Sequence, residues 1–396
     1  MLDITKLLSV MVEHDASDLY LTVDSPPMYR INGVVRPAGN RCLQTSDTEG
    51  LGTSIMNDKQ QKEFQATNEV NLALYYQALG RFRVNVFRQK SCVGIVIRQI
   101  RSNILTIDDL ELPQVLKDVS MTKRGLVLVV GATGSGKSTT LAAMVDYRNA
   151  NSAGHIISIE DPIEFVHAHK KSIITQREIG MDTAGYAIAL KSALRQAPDV
   201  VLIGEIRDTE TMESALTFAE TGHLCVATLH SNNANQAMER VMNFFPPERH
   251  AQIYLQLSLN LRGIVSQRLI RTIEGGRAPA IEILLDSPRV KDLIHKAMIS
   301  ELKEAMEKST NFGMQTFDQA LYDLYRAGKV TLEEALKNAD SANNLRLRVK
   351  LAEEGGSFDD KKKPVVNGAK PAASKKDLPG GASNDAAEIK LNLDLG

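Results

Sequence analysis

The chain has 396 residues, 43% hydrophobic and 24% charged, with 47 Lys and Arg against 48 Asp and Glu. That length allows two or three domains, each with its own core, while a formal net charge of −1 offers a nucleic acid no bulk electrostatic hold. Cys42, Cys92 and Cys225 are scattered and lack C-x-x-C spacing, which argues against structural zinc and for a reducing compartment. No apolar run reaches the ~18 residues of a membrane-spanning helix, and residues 1–6 lack the basic-then-apolar order of a signal peptide. The expectation is a cytoplasmic protein without direct membrane insertion, held at most to the cytoplasmic face of a membrane by partners.

In chain order, residues 2–14 have the spacing of an amphipathic helix (Leu2, Leu7, Leu8, Met11, Val12). Short strands follow, with turn signals at Ser25-Pro26-Pro27 and Asn32-Gly33. Arg81-Phe82-Arg83-Val84-Asn85-Val86-Phe87 alternates with period two, so Arg81, Arg83 and Asn85 share the face opposite Phe82, Val84 and Val86. Gly94–Arg98 reads as a further strand, and residues 1–100 as an α+β domain. Residues 101–119 read as a linker. From 120 to 285, apolar strands at 126–130, 155–159, 200–203 and 224–228 alternate with helical patterns, the signature of a parallel α/β sheet. Residues 286–350 are helical in pattern. From 351 to 396 the Gly, Pro, Ser and Lys content cannot build a core, and the expectation is disorder. Ile389, Leu391, Leu393 and Leu395 alternate with polar residues; they are read either as a strand docking on a partner's sheet edge or as an unbound tail end.

The most informative stretch is Gly131-Ala132-Thr133-Gly134-Ser135-Gly136-Lys137-Ser138, which fits G-x-x-x-x-G-K-[ST]. An apolar run, Gly125–Val130, precedes it and a helical pattern beginning at Thr139 follows. Strand, glycine loop and helix N-terminus together converge backbone N–H groups on phosphate oxygens. Residues 131–139 are thus the expected nucleotide contacts, with Lys137 on the β/γ-phosphates of ATP and Ser138 on Mg2+.

Two carboxylate clusters follow buried strands. Ile156–Ile159 runs into Glu160-Asp161-Pro162-Ile163-Glu164, where a carboxylate would orient the attacking water or accept its proton. Val200–Ile203 runs into Gly204-Glu205-Ile206-Arg207-Asp208; Gly204 occupies the usual Walker B aspartate position, so Glu205 is assigned the Mg2+ role, in part through water. His223 and His230 bracket a third strand, Leu224–Thr228. Without a third ligand at metal spacing, phosphate sensing or hydrogen-bond relay is the favoured reading, beside a structural imidazole. Arg83 and Arg98 are either solvated or brought to phosphate by another domain or subunit.

The order of P-loop, acidic box, Gly204-Glu205 and paired histidines resembles the secretion ATPase superfamily, and within it the type IV pilus retraction ATPases of the PilT/PilU group. Ala16-Ser17-Asp18-Leu19, Gly80–Asn85, Ala193-Leu194-Arg195-Gln196 and Gly313-Met314-Gln315-Thr316 agree, and the resemblance covers about residues 1–340. It implies a PAS-like N-terminal domain, a RecA-like ATPase core and a hexameric ring. It also implies Glu164 as catalytic carboxylate and Glu205 as Walker B residue, with Arg83 and Arg98 as phosphate contacts. Glu160, Arg195 and Arg207 join the two histidines as sensing or relay candidates. The ring would drive an inner-membrane platform protein of the pilus machine. Arg289-Val290-Lys291-Asp292-Leu293-Ile294-His295 departs from the retraction motif of PilT, and with the added tail resembles the accessory PilU branch, which works beside a PilT-type ATPase.

Three other readings stand against this one. Pilus assembly and type II secretion ATPases usually carry a four-cysteine zinc insertion and a longer N-terminal region. A nucleotide-sensing scaffold would not need both Glu164 and Glu205. A DNA-translocating ring conflicts with the near-neutral charge.

Overall fold

A computed structural model describes residues 2–353. The tail from 354 onward, with its Ile389–Leu395 alternation, lies outside the described residues. By contact density the described chain forms two units. The first comprises residues 2–68, 86–96 and 346–353, and the second residues 69–85 and 97–345.

In the first unit, helix Ile4–Glu13 starts at Asp3, whose carboxylate accepts the amides of Thr5 and Lys6. It buries Leu7, Leu8 and Met11, and the buried Tyr29 hydroxyl donates to the Leu7 carbonyl at 3.0 Å. Strands β1 (Asp18–Leu21), β2 (Met28–Ile31) and β3 (Val34–Pro37) pair antiparallel in sequence. The β2–β3 connection is the two-residue turn Asn32-Gly33 with both φ positive (50° and 80°), the backbone that a tight hairpin of right-twisted strands requires. Strands β4 (Glu69–Tyr76), β5 (Gly80–Gln89) and β6 (Cys92–Ile100), of which residues 69–85 and 97–100 are counted in the second unit, give the sheet order β3-β2-β1-β6-β5-β4. On β5, Phe82, Val84 and Val86 are buried, as the period-two pattern predicts.

The second unit is built on β7 (Gly125–Val130), β8 (Gly154–Glu160), β9 (Ser172–Glu178), β10 (Val200–Ile203), β11 (Leu224–Leu229), β12 (Leu261–Arg271) and β13 (Arg277–Leu285). Their order is β13-β12-β7-β11-β10-β8-β9, parallel except for β13 against β12. β7 is buried along its whole length. Leu126, Leu128 and Val130 enter the core on one face of the sheet, and Val127 and Val129 the core on the other, which is why the run is continuously apolar rather than alternating. Helices Lys137–Asn151, Tyr186–Ala193, Thr209–Glu220 and Ala234–Asn243 connect the strands. Beyond β13 the chain is helical, from Pro288–His295 to Ala342–Glu353.

Strands β9, β12 and β13 extend the sheet beyond the four that the sequence predicts. β9 and β13 are its edges. There Ile173 is 63% exposed on β9, and β13 accommodates Pro279. β12 is interrupted in sequence by Arg262, Gly263, Ser266 and Gln267, which removes the apolar signature.

Candidate active site

In a parallel sheet every strand's carboxyl end points the same way, so residues following β7, β8, β10 and β11 gather at one edge. There they line a pocket of about 280 Å3 that includes Lys137, Ser138, Glu160, Glu164, Glu205 and His230. The glycine loop fits its place for steric reasons. Gly131 has φ +157° and Gly136 φ +89°. A Cβ at Gly131 would lie 2.6 Å from the Gln267 carbonyl oxygen and also collide with Ser135 Oγ; at Gly136 it would lie 2.8 Å from Gln267 Nε2. Gln267 also accepts from Thr140 Oγ1 at 2.6 Å, so β12 braces the loop and the helix after it. Gly136 caps helix Lys137–Asn151 without a side-chain acceptor, so the helix N-terminus presents its amides toward the loop.

Lys137 is only 9% exposed. Its Nζ donates to the carbonyls of Gly131 at 2.8 Å and Ala132 at 3.0 Å, and lies 3.5 Å from His230 Nδ1. His230 Nε2 lies 3.2 Å from Glu205 Oε1, and the other Glu205 oxygen accepts from Arg207 Nε at 2.8 Å. Arg207 in turn reaches Asp161 Oδ2 at 3.4 Å. Burial first, then the neighbouring Lys137 ammonium, holds the His230 imidazole below its ordinary range, against the pull of Glu205. A neutral imidazole carrying its proton on Nε2 satisfies both neighbours, donating to Glu205 and accepting from Lys137. The result is a continuous polar chain, Lys137–His230–Glu205–Arg207–Asp161, across four strand ends. Burial also lowers the Lys137 ammonium, opposed by Glu205.

Gly204 is explained by crowding. A Cβ there would sit 3.0 Å from the Glu160 Cα and 3.0 Å from the Tyr186 hydroxyl. An aspartate has no room, and the carboxylate appears one residue later, as Glu205.

Glu160 is a buried carboxylate that accepts from Ser158 Oγ at 2.6 Å and from Gln176 Nε2 at 3.3 Å. Burial raises its proton affinity, those bonds oppose the rise, and nearby Glu164 adds to it. Gln176, which bonds Glu160, also donates to the Phe165 carbonyl at 2.8 Å and accepts the His167 amide at 2.8 Å, and so orders the loop that carries Glu164. Glu164 itself faces the pocket on a loop whose Asp161-Pro162 peptide is cis.

The structure separates other residues that the sequence grouped. His223 and His230 lie at opposite ends of β11, about 20 Å apart at ~3.3 Å per residue. His223 pairs instead with Thr221 Oγ1 (3.0 Å) and meets the Phe218 ring edge-on. Of the two, His230 lines this pocket and His223 does not, which corrects the expectation for the pair. Arg195 is exposed beyond helix Tyr186–Ala193 and does not line the pocket. Arg83 and Arg98 do not line it either; Arg83 Nε lies 3.9 Å from Glu178 Oε1. Sequence reasoning passed over Gln267, Tyr186 and Glu178, whose places are set by contacts between separate segments of the chain.

A second buried carboxylate sits behind the histidine loop. Glu282 Oε1 accepts the Ala234 amide at 2.7 Å and Ser266 Oγ at 2.9 Å, anchoring the helix that follows His230. Burial pushes its carboxyl up to about 7, against those two bonds, with Asp340 raising and Arg268 lowering it further. The folded protein thus holds this proton more tightly than the unfolded chain. The stability it contributes is complete below the usual carboxyl range and is lost as pH rises through about 7. Glu282→Gln should therefore melt progressively higher than the parent protein as pH rises from 5 to 8 in parallel thermal scans, and a pH-independent difference would refute this.

Comparison with known proteins places this geometry. The family described as Type II/IV secretion system protein matches residues 2–278. The type IV pilus ATPase PilU of Pseudomonas aeruginosa is 54% identical over 354 residues, covering 89% of this chain and 93% of that protein. The retraction ATPase PilT of the same organism is 44% identical, covering 87% of this chain and all of that one. The assembly ATPase PilB of Acinetobacter baylyi is 31% identical, and only 47% of its length is matched. A crystal structure of the pilus retraction motor PilT with bound ADP superimposes with a TM-score of 0.82 at 40% identity, covering 88% of this chain and 100% of that one.

Proposed function

The chain belongs to the type II/IV secretion system protein family, and from that membership we infer that it is an ATP-hydrolysing motor subunit for type IV pilus retraction, accessory to a PilT-type ATPase. The observation that carries this reading is the convergence of Lys137, Glu164 and Glu205 on one pocket in a chain aligned along nearly the full length of PilU. Alignment with less than half of the assembly ATPase speaks against the assembly reading.

The residues account for each part of the reaction. The loop amides and Lys137 would hold the β/γ-phosphates and neutralise charge that grows on the transferred group. Glu164 would orient the attacking water and take its proton. His230, placed between Lys137 and Glu205, would sense whether the γ-phosphate has left. Among the described residues no cluster of three His, Cys, Asp or Glu could cage a metal. Of the groups that line the pocket, the Ser138 hydroxyl and the Glu205 carboxylate would hold Mg2+, a cation that keeps several waters and takes further ligands from substrate phosphates. Bound there, Mg2+ would supply charge neutralisation at the phosphates.

By the same reading six copies form a ring, and the ring engages the inner-membrane platform protein from the cytoplasm. Among the described residues no helix is long and apolar enough to cross a membrane. The test is phosphate release by the purified full chain, alone and mixed with a PilT-type ATPase, together with its mass in solution. Hydrolysis by a hexamer is expected. A chain that binds ATP and releases no phosphate in either condition would be a nucleotide-dependent scaffold instead.

A further inference from the structure

Three consecutive residues of β12 divide between the two faces of the sheet. Gln267 turns toward helix Lys137–Asn151, where it accepts from Thr140, while Ser266 and Arg268 share the opposite face. There both serve the loop that joins His230 to helix Ala234–Asn243. Ser266 supports its end: its hydroxyl donates to the Glu282 carboxylate that also accepts the Ala234 amide. Arg268 supports its middle, donating to the Asn232 carbonyl at 3.2 Å. Asn232 is two residues past His230, so the backbone that aims the imidazole between Lys137 and Glu205 is held from β12 at two points.

The same guanidinium grips the C-terminal helical segment. It donates to the Asn338 carbonyl at 2.6 Å and to Asp340 Oδ1 at 2.6 Å. Its Cζ stands 3.9 Å from the centre of the buried Phe317 ring, a cation over an aromatic face. Asp340 is itself fixed, because Asp318 Oδ1 accepts the amides of Asp340 at 2.8 Å and Ser341 at 3.3 Å. Asp318 Oδ2 in turn accepts from Lys303 Nζ at 2.9 Å. A planar fork with its face and its edges occupied has one place to sit, and an ammonium cannot reproduce it. One side chain thereby links a loop at the nucleotide pocket to residues 338–341.

We propose that Arg268 is a positioning residue for turnover: through the Asn232 carbonyl it sets the place of His230, and through Asp340 and Asn338 it ties that place to the C-terminal helical segment. A shift of residues 338–341 then reaches His230 without any contact with the nucleotide. This rests on the reading of His230 as the sensor of the γ-phosphate. An active-site group displaced by about 1 Å costs turnover on the order of a hundredfold. Lys137 and the glycine loop follow β7 and keep their own supports, so the hold on the phosphates is spared.

The experiment compares Arg268→Lys and Asp340→Ala with the parent in the full chain, beside His230→Ala. Phosphate release gives kcat, and titration with a fluorescent ATP analogue gives Kd. Histidine-selective NMR without nucleotide gives the His230 ring resonance, assigned by its loss in His230→Ala. Lys keeps the charge but cannot span two carbonyls and a carboxylate; Ala at 340 loosens the guanidinium from outside the pocket. The expected result is kcat about ten- to hundredfold lower for Arg268→Lys and about three- to tenfold lower for Asp340→Ala, with Kd within about twofold. The His230 resonance should move in both variants. Parental turnover in both, or reduced turnover with an unmoved resonance, would overturn the proposal. Loss of affinity and melting temperature in step with kcat would reduce Arg268 to a structural role. Parental turnover by His230→Ala defeats the sensing role and this proposal with it, and the resonance in Arg268→Lys tells that failure apart from failure of the linkage.

Discussion

Glu164→Gln is expected to lower steady-state ATP hydrolysis by about a thousandfold, the range in which loss of a positioned general base falls, while the Kd for ATP stays within about twofold. The separation follows from where the side chain sits. Glu164 lies on the loop beyond β8, across the pocket from the glycine loop and from Lys137, so the groups that hold the phosphates are untouched. The glutamine has the same length, and Gln176 holds the loop by the Phe165 carbonyl and the His167 amide, so the loop keeps its anchor. Phosphate release and nucleotide titration on the same preparation read the two quantities. Turnover near the parent rate would move the water-activating role elsewhere, and Glu205, with both oxygens engaged by His230 and Arg207, would be the first place to look.

What could be read from the sequence divides along a physical line. Features set by neighbours in sequence were legible. A glycine loop between an apolar run and a helix, the four central strands, and carboxylates just past two of those strands all announce themselves within ten or twenty residues. Features set by neighbours in space were not. Gly204 looked like a gap in a motif, and the reason for it, the Glu160 backbone and the Tyr186 hydroxyl each 3.0 Å from a would-be Cβ, needs two other segments. His223 and His230 looked like a pair because a short strand separates them, yet a strand is the element that carries its two ends farthest apart. Glu178 gave no signal because β9 is an edge strand with Ile173 outward and a polar end, Thr175-Gln176-Arg177-Glu178. Only the register against β8 reveals that the last residue of this polar end, Glu178, is buried beside Glu160.

Lys137→Ala is expected to abolish measurable hydrolysis and to weaken ATP binding at least about a hundredfold, because it removes the one ammonium aimed at the phosphates and leaves the loop amides to oppose several negative charges alone. The fold should survive, since the backbone that shapes the loop is braced by Gln267 and by the glycines rather than by the lysine; a far-UV spectrum like that of the parent separates loss of the site from loss of structure. A second consequence is specific to the polar chain described here. Lys137 is among the groups that depress the His230 imidazole, while Glu205 pulls it the other way. Removing the ammonium leaves burial opposed by Glu205 with less on its side, so the His230 proton affinity should rise toward the ordinary histidine range. Histidine-selective NMR across a pH titration reads that shift directly, without nucleotide and without turnover. An unmoved titration would mean that Lys137 and His230 are not neighbours in solution, and the route from phosphate through lysine and histidine to Glu205 would lose its first link.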